Sequence, residues 1–219
     1  MDIAHPLRSL IPSLDSAVLE VLAGTTRPLS GHQVAQLART GSVSGVRLVL
    51  HRLVDHGLVT REDRGRSSYF TVNRDHLAWP AIEELLRLDA RLEDRIVALV
   101  DAWAVQPASL AVFGSVARHE AGPSSDIDLV VIEPSIFTES PDWDTQLVEL
   151  ATAVENWSGN HVQFTTLTLD GLAERVKRSE PIVGAWLTEA RTLAGRNIHE
   201  LIAGVEIAAN EPDSGLHAG

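Results

Sequence analysis

An α+β fold in two parts is what this sequence predicts, and three observations predict it. Apolar residues at helical spacing fill the first third, which ends in two short β-like runs around a charged segment at 58–72. A long helical seam then opens at Trp79-Pro80. Beyond it, short apolar runs at 110–113, 127–132 and 161–168 alternate with helical stretches. The rest of the chain is organised around the segment from Leu110 to Ile132, LAVFGSVARHEAGPSSDIDLVVI.

From the N-terminus, Leu14, Ala17, Val18, Val21 and Leu22 form one helical stripe that Gly24 closes. Ser30 is placed as an N-cap for a short helix with Val34, Ala35 and Leu37 inward. After a turn at 40–43, Ser44 is expected to cap a third helix, with Val46, Val49, Leu50, Leu53 and Val54 on one face and Gly57 at its end. Residues 58–60 read as a strand, 61–67 as a charged loop around Gly65, and 68–72 as the return strand.

Proline is welcome in a first helical turn, so Trp79-Pro80 starts a helix that Ile82, Leu85, Leu88, Leu92, Ile96, Leu99 and Trp103 continue in steps of three and four. Its later half is expected against the following sheet. Its earlier half is suited to a second copy, so a homodimer is expected. Residues 134–141 then read as loop and 143–157 as a helix with Leu147, Leu150, Ala151 and Val154 inward, broken at Ser158-Gly159-Asn160. Residues 161–168 alternate as a third strand, 170–178 and 181–193 read as closing helices, and 206–219 as a disordered tail rich in small residues.

Composition limits the function classes. Among 219 residues 44% are apolar, enough for two small cores, and the absence of cysteine excludes disulfides and thiolate metal sites. There is no run of about 18 apolar residues and no apolar segment at the start, so a cytoplasmic protein without a membrane partner is expected. The net charge of −12 is unevenly spread: residues 1–74 carry nine arginines against six acids, whereas 75–219 carry nine basic residues against twenty-four acids. The first part can approach a polyanion; the rest repels one unless a metal or a local basic group intervenes.

Strict alternation over Asp126, Ile127, Asp128 and Leu129 puts both carboxylates on one face of a strand. Carboxylates this close repel, and a divalent cation or a basic group relieves them. Oxygen ligation with an open, hydrated shell suits Mg²⁺, which commonly arrives with phosphates. Gly114 and Ser115 fit that company, because glycine permits close backbone approach and amides opening a helix at 116–119 would point at an anion.

The run GSVARHEAGPSSDIDLVVI resembles the signature of the nucleotidyltransferase superfamily that includes DNA polymerase beta, most closely its minimal stand-alone members. Gly114, Ser115, Arg118, Ser125, Asp126, Ile127, Asp128 and Leu129 fall on that pattern, and the resemblance spans 107–195. It implies an α/β domain with a small mixed sheet over 105–200. It also implies a nucleoside triphosphate held at Gly114 and Ser115, with Arg118 and Ser125 in the nucleotide site. Asp126 and Asp128 would be the catalytic carboxylates and the ligands of Mg²⁺. The chemistry implied is in-line attack of an acceptor hydroxyl on the α-phosphate, with pyrophosphate leaving. A protein side chain, a transfer RNA end and a small molecule such as an aminoglycoside all remain open as acceptors.

One departure from the family stands out. Transferring members usually carry a third carboxylate early on the third strand, and here Gln163 falls at that position. A neutral amide cannot be a general base, which weakens the case for two-metal catalysis. His161 could substitute only if the strand begins there; otherwise it is a surface residue after a turn. The competing class keeps the fold without the chemistry, as a scaffold, a nucleotide sensor or an antitoxin-like partner of a small protein toxin.

Residues 12–74, three short helices and a hairpin, resemble a winged helix-turn-helix domain. That resemblance implies double-stranded DNA as a partner. Ser42, Ser44, Arg47, His51 and Arg52 would lie on the groove-reading helix, and Arg61, Arg64 and Arg66 on the wing, mostly touching phosphate. The plainer alternative is that Arg47 and Arg52 are solvated and the loop arginines pair with Glu62 and Asp63. With a linker helix at 79–104, the two resemblances together predict a DNA-binding transcriptional regulator carrying a nucleotidyltransferase-like domain.

Overall fold

The computed structural model describes residues 1–122, 124–134 and 141–210. The chain is mixed α and β and divides into two compact units, one of Asp2 and Ala4–Asp89, the other of Met1, Ile3 and the residues from Ala90 onward.

The first unit runs α1 (Pro6–Leu10), α2 (Leu14–Ala23), β1 (Leu29–Ser30), α3 (Gly31–Ala38), α4 (Val43–Asp55), β2 (Val59–Arg64), β3 (Ser67–Val72) and α5 (Trp79–Leu86). The apolar stripes read from the sequence meet here: Val18, Leu22, Val34, Val46 and Leu50 are fully buried, with Leu53, Phe70 and Val72 beside them. Ser30 caps α3 through a reciprocal capping box with Gln33, which ties two otherwise unpaired N–H groups. Three of the sequence readings shift. Ser42, not Ser44, caps α4, accepting from the Gly45 N–H at 3.1 Å. The charged segment is mostly strand: β2 and β3 pair antiparallel out to Arg64 and Ser67, leaving a tight turn of Gly65 and Arg66 with Gly65 at φ +63°. β2 is an edge strand in the order β1-β3-β2 and is exposed after Val59, so no apolar alternation marked it. The seam from Trp79 is two helices rather than one, with Arg87 between α5 and α6 (Leu88–Asp101).

That seam is used inside the chain. Trp79 is buried in the first core with Ile82 and Leu85 packed on it, whereas Leu92, Ile96 and Trp103 are buried in the second unit with Leu99 beside them.

The second unit continues with β4 (Ser109–Phe113), α7 (Gly114–Ala117), β5 (Ile127–Ile132), α8 (Pro141–Ser158), β6 (Val162–Leu167), α9 (Leu169–Lys177), α10 (Pro181–Glu189), β7 (Arg191–Gly195) and α11 (Ile198–Asn210). Its sheet is mixed, in the order β6-β5-β4-β7: β5 is antiparallel to β4 and parallel to β6, and β7 is antiparallel to β4. Both faces are covered, which is why β5 reads as a continuous apolar run after its first residues. Ile127, Leu129 and Val131 face a core with α6 and α8, while Val130 and Ile132 face a second core with α9, α10 and α11.

Residues 191–193, expected to end the closing helix that starts at 181, instead begin β7. Arg191 through Gly195 complete the sheet beside β4, and a chain without partners for those N–H and C=O groups would leave them unsatisfied. Residues 206–210 of the expected tail belong to α11, which buries Ile198, Leu201 and Ile202; residues 211–219 lie outside the described residues, as do 135–140 of the expected loop.

Candidate functional site

The candidate site lies where β4 ends and β5 begins. Ile127 and Leu129 are fully buried whereas Asp126 and Asp128 are half-buried, so the alternation read from the sequence places both carboxylates on the opposite face. Phe113 of β4 pairs with Asp128, and the next residue, Gly114, has φ +73°. A Cβ there would stand 2.4 Å from Asp128 Oδ2, so only glycine lets the turn close against this carboxylate. The helix after it, α7, is a single turn of four residues.

Burial pushes the Asp128 carboxyl above its ordinary range, and the Asp126 charge adds to this; Arg118 opposes it, and Glu189 raises it slightly further. On β6, Gln163 pairs in register with Asp128, and its Nε2 donates to Asp126 Oδ2 at 2.7 Å. Gln163 therefore stands beside the aspartates, at the place expected of it, and presents an N–H to them. His161 does not: it is exposed, with Nδ1 3.1 Å from Glu155 Oε1. Ser125 accepts from the Gly122 N–H at 2.9 Å through its hydroxyl, which shapes the loop entering Asp126.

Two participants escaped the sequence reading. Asn160, 2% exposed, donates through Nδ2 to the Ser125 carbonyl at 2.9 Å and so holds that loop. Its only signal was the Ser158-Gly159-Asn160 break. Glu189, the last residue of α10, accepts from the Gly114 N–H at 3.2 Å through Oε1 and from Arg118 Nη1 at 2.5 Å through Oε2. Arg118 also bridges to Glu120 at 2.9 Å, and the two hydrogen bonds, Glu189 first, raise the pKa of its guanidinium. Glu189 is more than 70 residues from Gly114 in sequence, and nothing local marked it.

Among the described residues no three acids or histidines gather closely enough to hold a metal by themselves. The donor set still fits Mg²⁺: two adjacent carboxylates with like charge, the remaining ligands being water and phosphate oxygens, is how that ion is usually held. No helix of the described residues is long and apolar enough to cross a membrane.

In the first unit the residues proposed from the groove-reading helix and the wing fall into two sets. Arg52 pairs with Asp15, Arg61 with Asp63 at 2.9 Å, and Arg64 with Glu62 at 2.8 Å while lying over the Tyr69 ring at 5.3 Å. The Arg61 and Arg64 pairs follow the plainer reading of those arginines. Ser42 and Ser44 hydroxyls are hydrogen-bonded to each other at 2.9 Å. Arg47, His51 and Arg66 line a cavity of about 400 Å³ with His32, Ser67, Ser68 and the paired Arg61, and Arg47 and Arg66, in contrast to Arg52, Arg61 and Arg64, form no ion pair among the described residues.

Comparison with known proteins places one part of the chain. Residues 75–182 match the nucleotidyltransferase domain family. No characterised protein matches the sequence closely. Similar solved structures include a toxin–antitoxin with AMP-PNP, at 18% identity over 53% of this chain and 85% of that one, with a TM-score of 0.37. A mutant of the toxin–antitoxin MntA-HpeT stands at 19% identity over the same shares, with a TM-score of 0.38. Human N-acetylserotonin methyltransferase with SAM shows 22% identity over 45% of this chain and 33% of that one, with a TM-score of 0.27. At such scores the likenesses say nothing further about this chain.

Proposed function

We propose that the second unit binds a Mg²⁺-loaded nucleoside triphosphate at Gly114, Ser115, Asp126 and Asp128, and that the first unit is a winged helix-turn-helix that binds double-stranded DNA. The chain is on this reading a nucleotide-responsive DNA-binding regulator. The observation that carries the nucleotide site is the closure of the Gly114 turn on Asp128, which puts a main-chain N–H and two carboxylates in one place. The match of 75–182 to the nucleotidyltransferase domain family supports it. Asp126 and Asp128 would hold Mg²⁺, which when bound would neutralise phosphate charge.

Gln163 decides between sensing and transfer. Its amide donates to Asp126 and orients that carboxylate, but it cannot take the proton of an attacking hydroxyl. Transfer to an acceptor hydroxyl is the second reading, favoured by the intact aspartate pair. Calorimetric titration of Mg-ATP and the other nucleoside triphosphates tests the site. Wild type should bind one of them only with the metal present, and Asp126→Ala, Asp128→Ala should lose that binding. Absence of binding in wild type, or its survival in the double variant, would overturn the site.

For the first unit, the helices α2, α3 and α4, the sheet order β1-β3-β2 and the basic cavity support DNA as partner. Of the arginines on α4 and the β2–β3 hairpin, Arg47 and Arg66 are the ones without an ion pair among the described residues. Arg47→Glu, Arg66→Glu should weaken DNA mobility shifts by about tenfold or more and reduce the salt slope of log K by roughly 2, because each phosphate contact contributes nearly one. Arg64→Glu, at an arginine already paired with Glu62, should cost less. Equal retention of DNA by wild type and the Arg47, Arg66 variant would remove the assignment.

A further inference from the structure

The Glu189 carboxylate occupies the two groups that a phosphate would need. Trp186 is fully buried on α10 and meets Phe113 edge to face at 6.1 Å, which anchors the helix beside the end of β4. Glu189 follows three residues later, on nearly the same face of that helix. Its side chain is only 14% exposed, with one oxygen on the Gly114 N–H and the other on the Arg118 guanidinium. These are an anion-accepting backbone group at a positive-φ glycine and a cation whose charge reaches Asp128.

We infer that Glu189 is a built-in competitor at the phosphate position, which a phosphate chain must displace to reach Gly114 and Arg118. This rests on the nucleotide-site reading above. Arg118 is already bridged by two carboxylates, Glu189 and Glu120, and Asp128 with the Asp126 charge beside it adds to the acidity of the site, so a bare polyphosphate meets a net negative field. A polyphosphate that brings divalent cations does not. Glu189 thereby restricts the site to cation-loaded polyphosphates and excludes free phosphate and small carboxylates.

Inorganic tripolyphosphate, titrated in the presence of EDTA into the full chain, tests this in wild type, Glu189→Gln and Glu180→Gln. The amide introduced by Glu189→Gln keeps an oxygen for the Gly114 N–H but not the charge that holds Arg118, so affinity should rise roughly tenfold or more, the range of one charge-assisted hydrogen bond. Glu180 pairs with Arg175 at the start of the same helix, and its variant should bind as wild type does. Equal or weaker binding by Glu189→Gln, or an equal gain in both variants, overturns the inference. If Glu189→Gln melts without cooperativity, Glu189→Asp decides: it keeps the charge but withdraws it by one methylene, and should also gain. Mg-ATP titrated into the same proteins separates the two readings. A tripolyphosphate gain without any nucleotide binding sinks the nucleotide site and leaves the competitor standing; metal-dependent nucleotide binding with no gain in either titration does the reverse.

Discussion

Gly114→Ala should cost metal-dependent nucleotide binding roughly 10–100-fold while leaving a folded chain, because a small displacement of a positioning group can carry a penalty of that size. Two effects combine. An L-residue at φ +73° sits in the left-handed region, at a cost of about 1–2 kcal/mol. The added methyl would also meet Asp128 Oδ2 at 2.4 Å, with Asp128 Cγ at 3.3 Å. The carboxylate is the movable partner, so the clash is relieved by rotating Asp128 out of the site rather than by opening the sheet. Calorimetry with Mg-ATP should therefore show the loss while the thermal transition shifts only modestly. Unchanged affinity would mean that Asp128 does not need its present position.

Gly195→Ala should have the larger effect on stability, roughly 2–5 kcal/mol, summing left-handed strain and overpacking. Gly195 ends β7 at φ +75°, and a Cβ there would lie 2.6 Å from the Ala108 carbonyl oxygen and 2.9 Å from both the Ala108 carbonyl carbon and the Pro107 oxygen. All three are backbone atoms, so no side chain can rotate away. The strain falls where Ser109 pairs with Gly195 and where the Arg196 N–H donates to Ala108 at 2.8 Å, so β4 and β7 would separate at that end. Chemical denaturation of the purified variant measures it. A loss below about 1 kcal/mol, the scale of a tolerated glycine substitution, would show that the strand end relaxes freely.

The pairing of Asp126 and Asp128 on one face was legible because strand alternation is a local property of four consecutive residues, and burial of Ile127 and Leu129 obeys it. So was the Gly114 turn, since a glycine closing an apolar run advertises an unusual backbone. Helix stripes in the first unit were legible for the same reason: Val46, Leu50 and Leu53 repeat at helical spacing and are buried together. The sequence also placed Gln163 opposite the aspartates, through the order of strands implied by the resemblance.

What the sequence alone did not reveal was decided by contacts between distant segments. β2 carries Arg61, Glu62, Asp63 and Arg64 without apolar alternation, so its extent rests on backbone pairing with β3. β7 is a strand because β4 offers it an unpaired edge, a fact that no window around Leu193 contains. Glu189 enters the site only through the packing of Trp186 on Phe113, and the pairing of Arg52 with Asp15 removes a cation that composition had counted toward DNA. Periodicity and backbone conformation are written residue by residue; the neighbours that neutralise a charge or complete a sheet are chosen only when the chain closes on itself.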